Sequence, residues 1–461
     1  MCYSLVMFTY SEELKEKNIQ KITEYFPDTP PVLFDIETTG LSRRACHIYL
    51  IGAIAKLDGT WTLTQWFLDH PFEEKDLIIT FANFLKDVRK ASGVSAETHA
   101  EASTESSTEA SAVTEDSVSS VGSMQDSGSG KRPCLITFNG RTFDLPYLRE
   151  KCSFYQLPDP FEGFEHCDLY KELLPIKKAL RFSSMKQKDV ERFLGIQRKD
   201  EKTGGELISV YQTYLRTKDP KLYDLLMLHN HDDILGLTEM LDALAWPEFL
   251  CGHKFTVEDL STDLIPAYRE ASAGAQANAC PPSEQKDSNP QKTGVVDAGI
   301  GYADEQEPDR CVLFALKTAH PLPETPVRFP ATPYASLSIE SKETDGSMAT
   351  LCVRTKRDCL KHYYPDYRNY FYLPEEDQAV HKDVAIYVPA ERRVKAKAST
   401  CYTKKTGEFL PQPSEVNTPA FYTDYKAYPA WFLPTSEWLE NREALHAYCA
   451  AVIDALIAGS K

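Results

Sequence analysis
The sequence predicts an α/β fold, a mixed sheet flanked by helices, followed by a smaller α+β C-terminal domain. Three observations lead there. Short apolar runs of strand length dominate residues 32–68, strand-like and helix-like periods alternate from residue 134, and two segments poor in apolar side chains divide the chain. At 461 residues the chain also exceeds what one ordinary core organises, so more than one domain is expected.

Taken in order, residues 1–30 form an N-terminal segment and residues 31–250 the first domain. Val32-Leu33-Phe34-Asp35-Ile36 is an apolar run that carries one acid and leads into Thr38-Thr39-Gly40. Ile48–Ala55 and Trp61–Leu68 read as further strands, joined by the turn Leu57-Asp58-Gly59. Leu77–Val88 has helical spacing, Cys134–Phe138 reads as a strand, and a helix starts near Leu145 with Pro146 suited to its first turn. Residues 91–131 interrupt this pattern. They hold few apolar side chains, and Glu97, Glu101, Glu105 and Glu109 would line any helix with like charges. Little there offsets the entropy of ordering, so a disordered insertion is expected. Residues 270–310 form a linker. The C-terminal domain, 311–461, shows strands at Cys311–Lys317, Tyr334–Ile339 and Ala349–Arg354, and a closing amphipathic helix at Trp438–Leu456.

The net charge of −17 argues against a nucleic-acid substrate only until it is located. Residues 93–130 contribute −7 and residues 270–310 contribute −5, so only −5 belongs to the rest, and the sign decides nothing about partners. Met1-Cys2-Tyr3-Ser4 lacks the flank of a signal peptide, and no apolar stretch approaches the roughly 20 residues of a membrane span. The twelve cysteines include no C-x-x-C pair, which disfavours a structural zinc site. A cytoplasmic protein with reduced thiols is expected.

Three carboxylate signals carry the chemistry. In a strand, Asp35 and Glu37 point the same way, and two buried carboxylates side by side are costly unless a cation lies between them. Asp144 stands where Phe138-Asn139-Gly140 leaves a strand and a helix begins, a place where a plain N-cap is an equal alternative. The third signal decides. From Lys221 to Leu244 an apolar stripe of Leu222, Leu226, Leu237, Met240 and Leu244 has a gap, and the gap is filled by His229 and Asp233, one turn apart. A buried His–Asp pair would explain that helix alone; a shared metal site explains all three signals.

Together these residues resemble the DEDD superfamily of 3′–5′ exonucleases, which have a ribonuclease H-like fold, and more closely its YprB-type branch. The resemblance covers about residues 31–245 apart from the insertion. It rests on Phe34-Asp35-Ile36-Glu37-Thr38-Thr39-Gly40, Phe138-Asn139-Gly140 through Phe143-Asp144-Leu145-Pro146, Cys167-Asp168-Leu169, the spacing of Tyr211 and Tyr214, and His229-Asn230-His231-Asp232-Asp233-Ile234. One departure is that His229 leads the last motif at the spacing usual for a tyrosine.

The resemblance implies a metal-dependent nuclease acting on single-stranded DNA or RNA through two ions, Mg²⁺ or Mn²⁺, since hard carboxylate oxygens suit these better than zinc. It implies Asp35, Glu37, Asp144 and Asp233 as metal ligands, with His229 orienting or deprotonating water. Asp168 has a structural or a supporting role. A structure-specific endonuclease, or a nucleic-acid-binding adaptor on a degenerate nuclease fold, are the alternatives. Arg181, Lys186, Lys188, Arg192, Arg198 and Lys199 read mostly as a solvated face. Asn139 and the run Arg392–Lys405, which has six bases and no acid, are the expected nucleic-acid contacts, through Arg392, Arg393, Lys395 and Lys397. A basic face over a tyrosine-rich core is the alternative for that run.

Overall fold
The structure is a computed structural model that describes residues 7–28, 30–92, 132–199, 202–261, 310–324, 329, 331–343 and 346–459. The chain divides into two compact units, one comprising essentially the residues up to Gly252 and the other those from His253 onward.

The first unit is built on six strands: β1 (Met7–Glu13), β2 (Val32–Thr38), β3 (Ile48–Leu57), β4 (Thr60–Leu68), β5 (Cys134–Thr137) and β6 (Glu165–Asp168). They lie in the order β1-β4-β3-β2-β5-β6. The first four pair antiparallel, whereas β5 and β6 run parallel to β2. The β3–β4 hairpin closes through Asp58 and Gly59, at φ 50° and 85°, the left-handed pair that a two-residue turn matched to strand twist requires. Residues 7–25, set apart in the sequence as an N-terminal segment, contribute β1 and helix α1 (Glu16–Tyr25) to this unit. Asn18 Nδ2 of α1 donates to Thr238 Oγ1 at 2.6 Å. Of the insertion expected at 91–131, Ala91 ends the helix Glu74–Ala91 and Ser92 caps it; its other residues, and the linker expected at 270–310 apart from Arg310, lie outside the described residues.

Helices cover both faces of the sheet, which is why β2 and β3 are buried almost throughout. On one face Val32, Phe34, Ile36, Ile51 and Trp66 pack with Leu77, Phe81, Leu85 and Val88 of α2 (Glu74–Ala91) and Leu145 and Leu148 of α3 (Asp144–Phe154). On the other, Tyr49, Leu50 and Phe67 meet Leu207, Tyr211 and Tyr214 of α6 (Gly204–Thr217) and Leu226 and Met227 of α7 (Pro220–Met240). Each such side chain contributes about 1.5–3 kcal/mol when fully buried. Tyr211 and Tyr214 are thereby placed in the core: Tyr211 stacks on Tyr49 with ring centroids 4.0 Å apart. Short helices α4 (Leu169–Leu173), α5 (Gln187–Phe193) and α8 (Ala245–Leu250) complete the unit.

The second unit is α+β. Its main sheet is antiparallel, in the order β7 (Phe255–Ser261), β8 (Cys311–Thr318), β10 (Gly346–Arg354), β9 (Ala335–Glu343). The closing helix runs over Arg442–Ala458 and buries Leu445, Tyr448, Val452 and Leu456 as expected. It starts later than its apolar period suggested because Asn441 caps it, accepting from Ala444 N at 3.1 Å. No described helix is long and apolar enough to cross a membrane. Nine described cysteines are free thiols.

Candidate metal centre
Strand alternation sorts the side chains of β2. Val32, Phe34 and Ile36 enter the core under α2 and α3. Asp35 and Glu37 therefore turn to the opposite face, where α7 lies. Immediately after Glu37 the β2–β3 register shifts by a bulge, a local kink that commonly re-aims a side chain at a strand end.

Asp144 approaches from the other side of β2. Strand β5 pairs with β2 only at Val32 and Leu33. Beyond that point the Ile36 N–H is instead satisfied by Asp144 Oδ1 at 3.2 Å. Asp144 is the first residue of α3, and the capping position belongs to Phe143, whose side chain makes no cap bond. The turn before it is held by Asp168, 1% exposed, which accepts from Asn139 N at 2.7 Å and Arg141 N at 3.0 Å while capping α4 through Tyr170 N at 3.1 Å. Asp168 thus supports the loop that aims Asp144. Asn139 adopts φ 63°, a left-handed conformation that asparagine tolerates, and Gly140 lies so close to Thr137 that a Cβ would sit 2.2 Å from its Oγ1.

The third contribution comes from α7. Asp219 caps it by accepting from Lys221 N at 3.0 Å, and Pro220 occupies its first turn. The helix presents His229, Asn230 and Asp233 to the sheet. His229 Nε2 lies 3.3 Å from Glu37 Oε1 and 3.2 Å from Asp233 Oδ2. Glu37, His229 and Asp233 each offer a ligand atom within 4.8 Å of the others, so this trio could hold a metal ion. His229 thus stands among the possible ligands, a role the sequence did not suggest for it beside water activation.

A row of residues across the sheet explains how closely α7 sits. Asp35, Gly52 and Gln65 are direct neighbours on β2, β3 and β4. Fully buried Asn230 spans the row, donating from Nδ2 to Asp35 Oδ2 at 3.0 Å and accepting from Gln65 Nε2 at 2.9 Å. Gly52 makes the space. A Cβ there would fall 2.0 Å from Ile234 Cδ1 and 2.2 Å from Asn230 Oδ1.

Arg198 departs from the solvated face expected for its neighbours. Its side chain is 9% exposed. Nη1 donates to both carboxylate oxygens of Glu191, at 2.8 and 3.0 Å, and Nη2 pairs with Asp233 Oδ1. Gln187 Nε2 donates to the Asp233 carbonyl at 2.8 Å and to Glu191 Oε1 at 3.0 Å.

The carboxyls pay for their crowding in proton affinity. Burial first, then the charges of Asp144, Asp233 and Glu37, hold the Asp35 carboxyl well above the usual range, against a lowering bond from Asn230. Burial likewise pushes Asp144 up to about 7, with Asp168 and Asp233 adding to it and backbone N–H groups opposing it. An oxygen-rich set with one imidazole fits a small hard divalent cation, and such a cation would relieve this repulsion. The sign of the pH effect follows. A free carboxyl ionises near 4, so between about 4 and 7 the unfolded chain has lost a proton that folded Asp144 keeps, and rising pH favours unfolding. Melting the metal-free wild type beside Asp144→Asn at pH 5 and pH 8 should show the variant gaining stability relative to wild type at the higher pH. A gap that is constant or shrinks would contradict the raised proton affinity of Asp144.

The other expected contacts lie elsewhere. Asn139 Oδ1 accepts from the Thr142 hydroxyl at 2.6 Å. In the second unit, Arg392, Lys395 and Lys397 are exposed, whereas the Arg393 guanidinium covers the Phe371 ring at 5.1 Å and pairs with the Ala385 carbonyl. Tyr364, Tyr367, Tyr370 and Tyr372 are half-buried and pack on Ala379, Ala396 and Cys401.

A mixed sheet with antiparallel strands leading into parallel ones, helices on both faces and acids converging at its central strand defines a ribonuclease H-like α/β fold. In agreement, the sequence profile of the ribonuclease H superfamily matches residues 32–95 and 98–245, a stretch that includes Asp35, Glu37, Asp144 and Asp233. No curated protein matches the chain significantly. Among solved structures, the family B DNA polymerase of the hyperthermophilic archaeon Pyrobaculum calidifontis is 14% identical with a TM-score of 0.32, over 48% of this chain and 25% of the polymerase. The zinc-bound complex of E. coli exonuclease I with single-stranded DNA is 15% identical with a TM-score of 0.22, over 44% of this chain and 43% of that one. The chain therefore spans a quarter of the polymerase and under half of the exonuclease.

Proposed function
We propose that the first unit is a metal-dependent nuclease of the DEDD type, a 3′–5′ exonuclease that hydrolyses phosphodiester bonds in single-stranded DNA or RNA with two Mg²⁺ or Mn²⁺ ions. The observation that carries this reading is the gathering of Asp35, Glu37, Asp144 and Asp233 from two helices and one strand. Such a cluster raises the proton affinity of Asp35 and Asp144 and costs stability, a cost that a cation site would recover.

In this reading Asp35, at the middle of the cluster, would hold the ions together with Glu37, Asp144 and Asp233. Divalent ions bound there supply an activated water and neutralise the charge that develops on the leaving oxygen. His229, buried between Glu37 and Asp233, would orient or deprotonate the attacking water. Asn230 fixes the Asp35 carboxylate, and Asp168 fixes the loop that carries Asn139 to the substrate strand. Exposed Arg392, Lys395 and Lys397 add sequence-independent phosphate contacts.

The reading is tested by incubating the full chain with 5′-end-labelled DNA and RNA oligomers in Mg²⁺ or Mn²⁺, beside an EDTA control. Products that shorten stepwise from the 3′ end, absent with EDTA, are expected. Intact oligomers of both kinds in both metals would overturn the proposal.

A further inference from the structure
Resting on the metal-site reading above, we propose that Arg198 is a positioning residue that sets which divalent cation the site prefers. It does so by restricting Asp233 to a single ligand oxygen. The two carboxylate oxygens of Asp233 have separate fates. Oδ2 faces His229 at 3.2 Å, on the side where Glu37 lies. Oδ1 is held by Arg198 Nη2.

Arg198 is itself locked. Glu191, fully buried, takes Nη1 with both oxygens, so the planar fork spans two carboxylates in a way one ammonium cannot. Glu191 fits beneath α7 because residue 236 is glycine: a Cβ there would lie 2.2 Å from Glu191 Oε1. Gln187 bonds the Asp233 carbonyl and Glu191 together, and the next backbone N–H, that of Lys199, is tied to Asp232 Oδ2 at 2.9 Å. The guanidinium is therefore tethered beside Oδ1.

The consequence lies in coordination number. Mg²⁺ and Mn²⁺ are satisfied by single carboxylate oxygens and water in a near-octahedral shell, whereas Ca²⁺ takes more ligands and favours carboxylates that bind through both oxygens. An Asp233 limited to Oδ2 suits the small ions and penalises the large one. Released from Arg198, it could present both oxygens.

The test is calorimetric titration of the full chain with Mn²⁺ and with Ca²⁺, for wild type, Arg198→Gln and Arg198→Lys. Losing a positive charge strengthens both ions alike, so the ratio of their affinities isolates the effect of the freed oxygen. The Ca²⁺ to Mn²⁺ affinity ratio should rise roughly tenfold in Arg198→Gln, the low end of what groups behind a metal ligand contribute. Arg198→Lys keeps the charge beside Glu191 and should move the ratio the same way, so it carries the test if the glutamine variant does not fold. Affinities that change together while the ratio stays within about twofold of wild type would make Arg198 a counter-charge only and overturn the inference. Binding of neither ion to the wild type would overturn the metal site itself, and this inference with it.

Discussion

Asp35→Asn is expected to abolish metal-dependent cleavage while making the metal-free protein more stable. Asp35 stands at the centre of the cluster, and its carboxyl is held well above the usual range by burial and by Asp144, Asp233 and Glu37. At pH 8 the metal-free protein must either desolvate that charge beside three others or hold the proton against the solution. Both states cost free energy, about 1.4 kcal/mol for every tenfold rise in proton affinity. An asparagine removes the charge yet keeps the oxygen that accepts from Asn230 Nδ2. Each kcal/mol recovered raises the melting temperature by roughly 2–4 °C for a unit of this size. The same change removes the shared anionic ligand. Metal-borne charge stabilisation is worth several kcal/mol, so turnover should fall roughly 10³-fold or more. A variant that cleaves near the wild-type rate would exclude Asp35 from the site. One that melts lower without metal would contradict the repulsion.

The second large effect is expected at a residue with no chemistry of its own. Gly52→Ala places a methyl 2.0 Å from Ile234 Cδ1 and 2.2 Å from Asn230 Oδ1, distances that non-bonded atoms do not reach. Both neighbours are fully buried, so neither side chain can rotate into open space. Helix α7 must lift from β3, breaking the bonds that Asn230 makes to Asp35 and Gln65. Overpacking of this kind costs about 1–3 kcal/mol, and a disrupted buried amide about 1–3 more. A fall of roughly 4–24 °C in melting temperature follows. His229 and Asp233 ride on the same helix, so turnover should fall even at temperatures where the variant remains folded. Thermal melts and rates at about 20 °C test both parts. A Gly52→Ala protein that melts and turns over as wild type would mean the helix has slack at this contact.

How much of this was legible depends on how far each signal reaches along the chain. Asp35 and Glu37 could be paired because a strand repeats every two residues. His229 and Asp233 could be turned inward because they complete an apolar stripe at helical spacing. The ordering of strands before alternating strands and helices was enough for the fold class. Residues 7–25 were not legible as part of the sheet: β1 is mostly exposed, and its pairing with β4 becomes visible only in three dimensions. Asp144 was ambiguous between cap and ligand; the capping position falls to Phe143, and its carboxyl instead accepts from the Ile36 N–H that β5 stops short of covering. Asn230, though it follows His229 in the last motif, had no assigned role, because its partners Asp35 and Gln65 are brought into one row only by strand register. Arg198 misled most. A basic residue among other basic residues reads as solvated, and nothing local announces that Glu191 is buried beneath a glycine some forty residues away. The Arg392–Lys405 run was legible only as composition, which does not tell that Arg393 caps an aromatic ring while Lys395 and Lys397 stay exposed.

The central claim is that the carboxylates of β2, α3 and α7 share divalent cations. Crystals of the full chain soaked in Mn²⁺ and recorded at the manganese absorption edge test it most directly. Anomalous peaks within coordinating distance of Asp35, with Glu37, Asp144 and Asp233 around them, are the predicted result. The same soak of Asp35→Asn should lose them. No anomalous peak at this cluster in the wild type, with well-ordered side chains still facing one another, would contradict it.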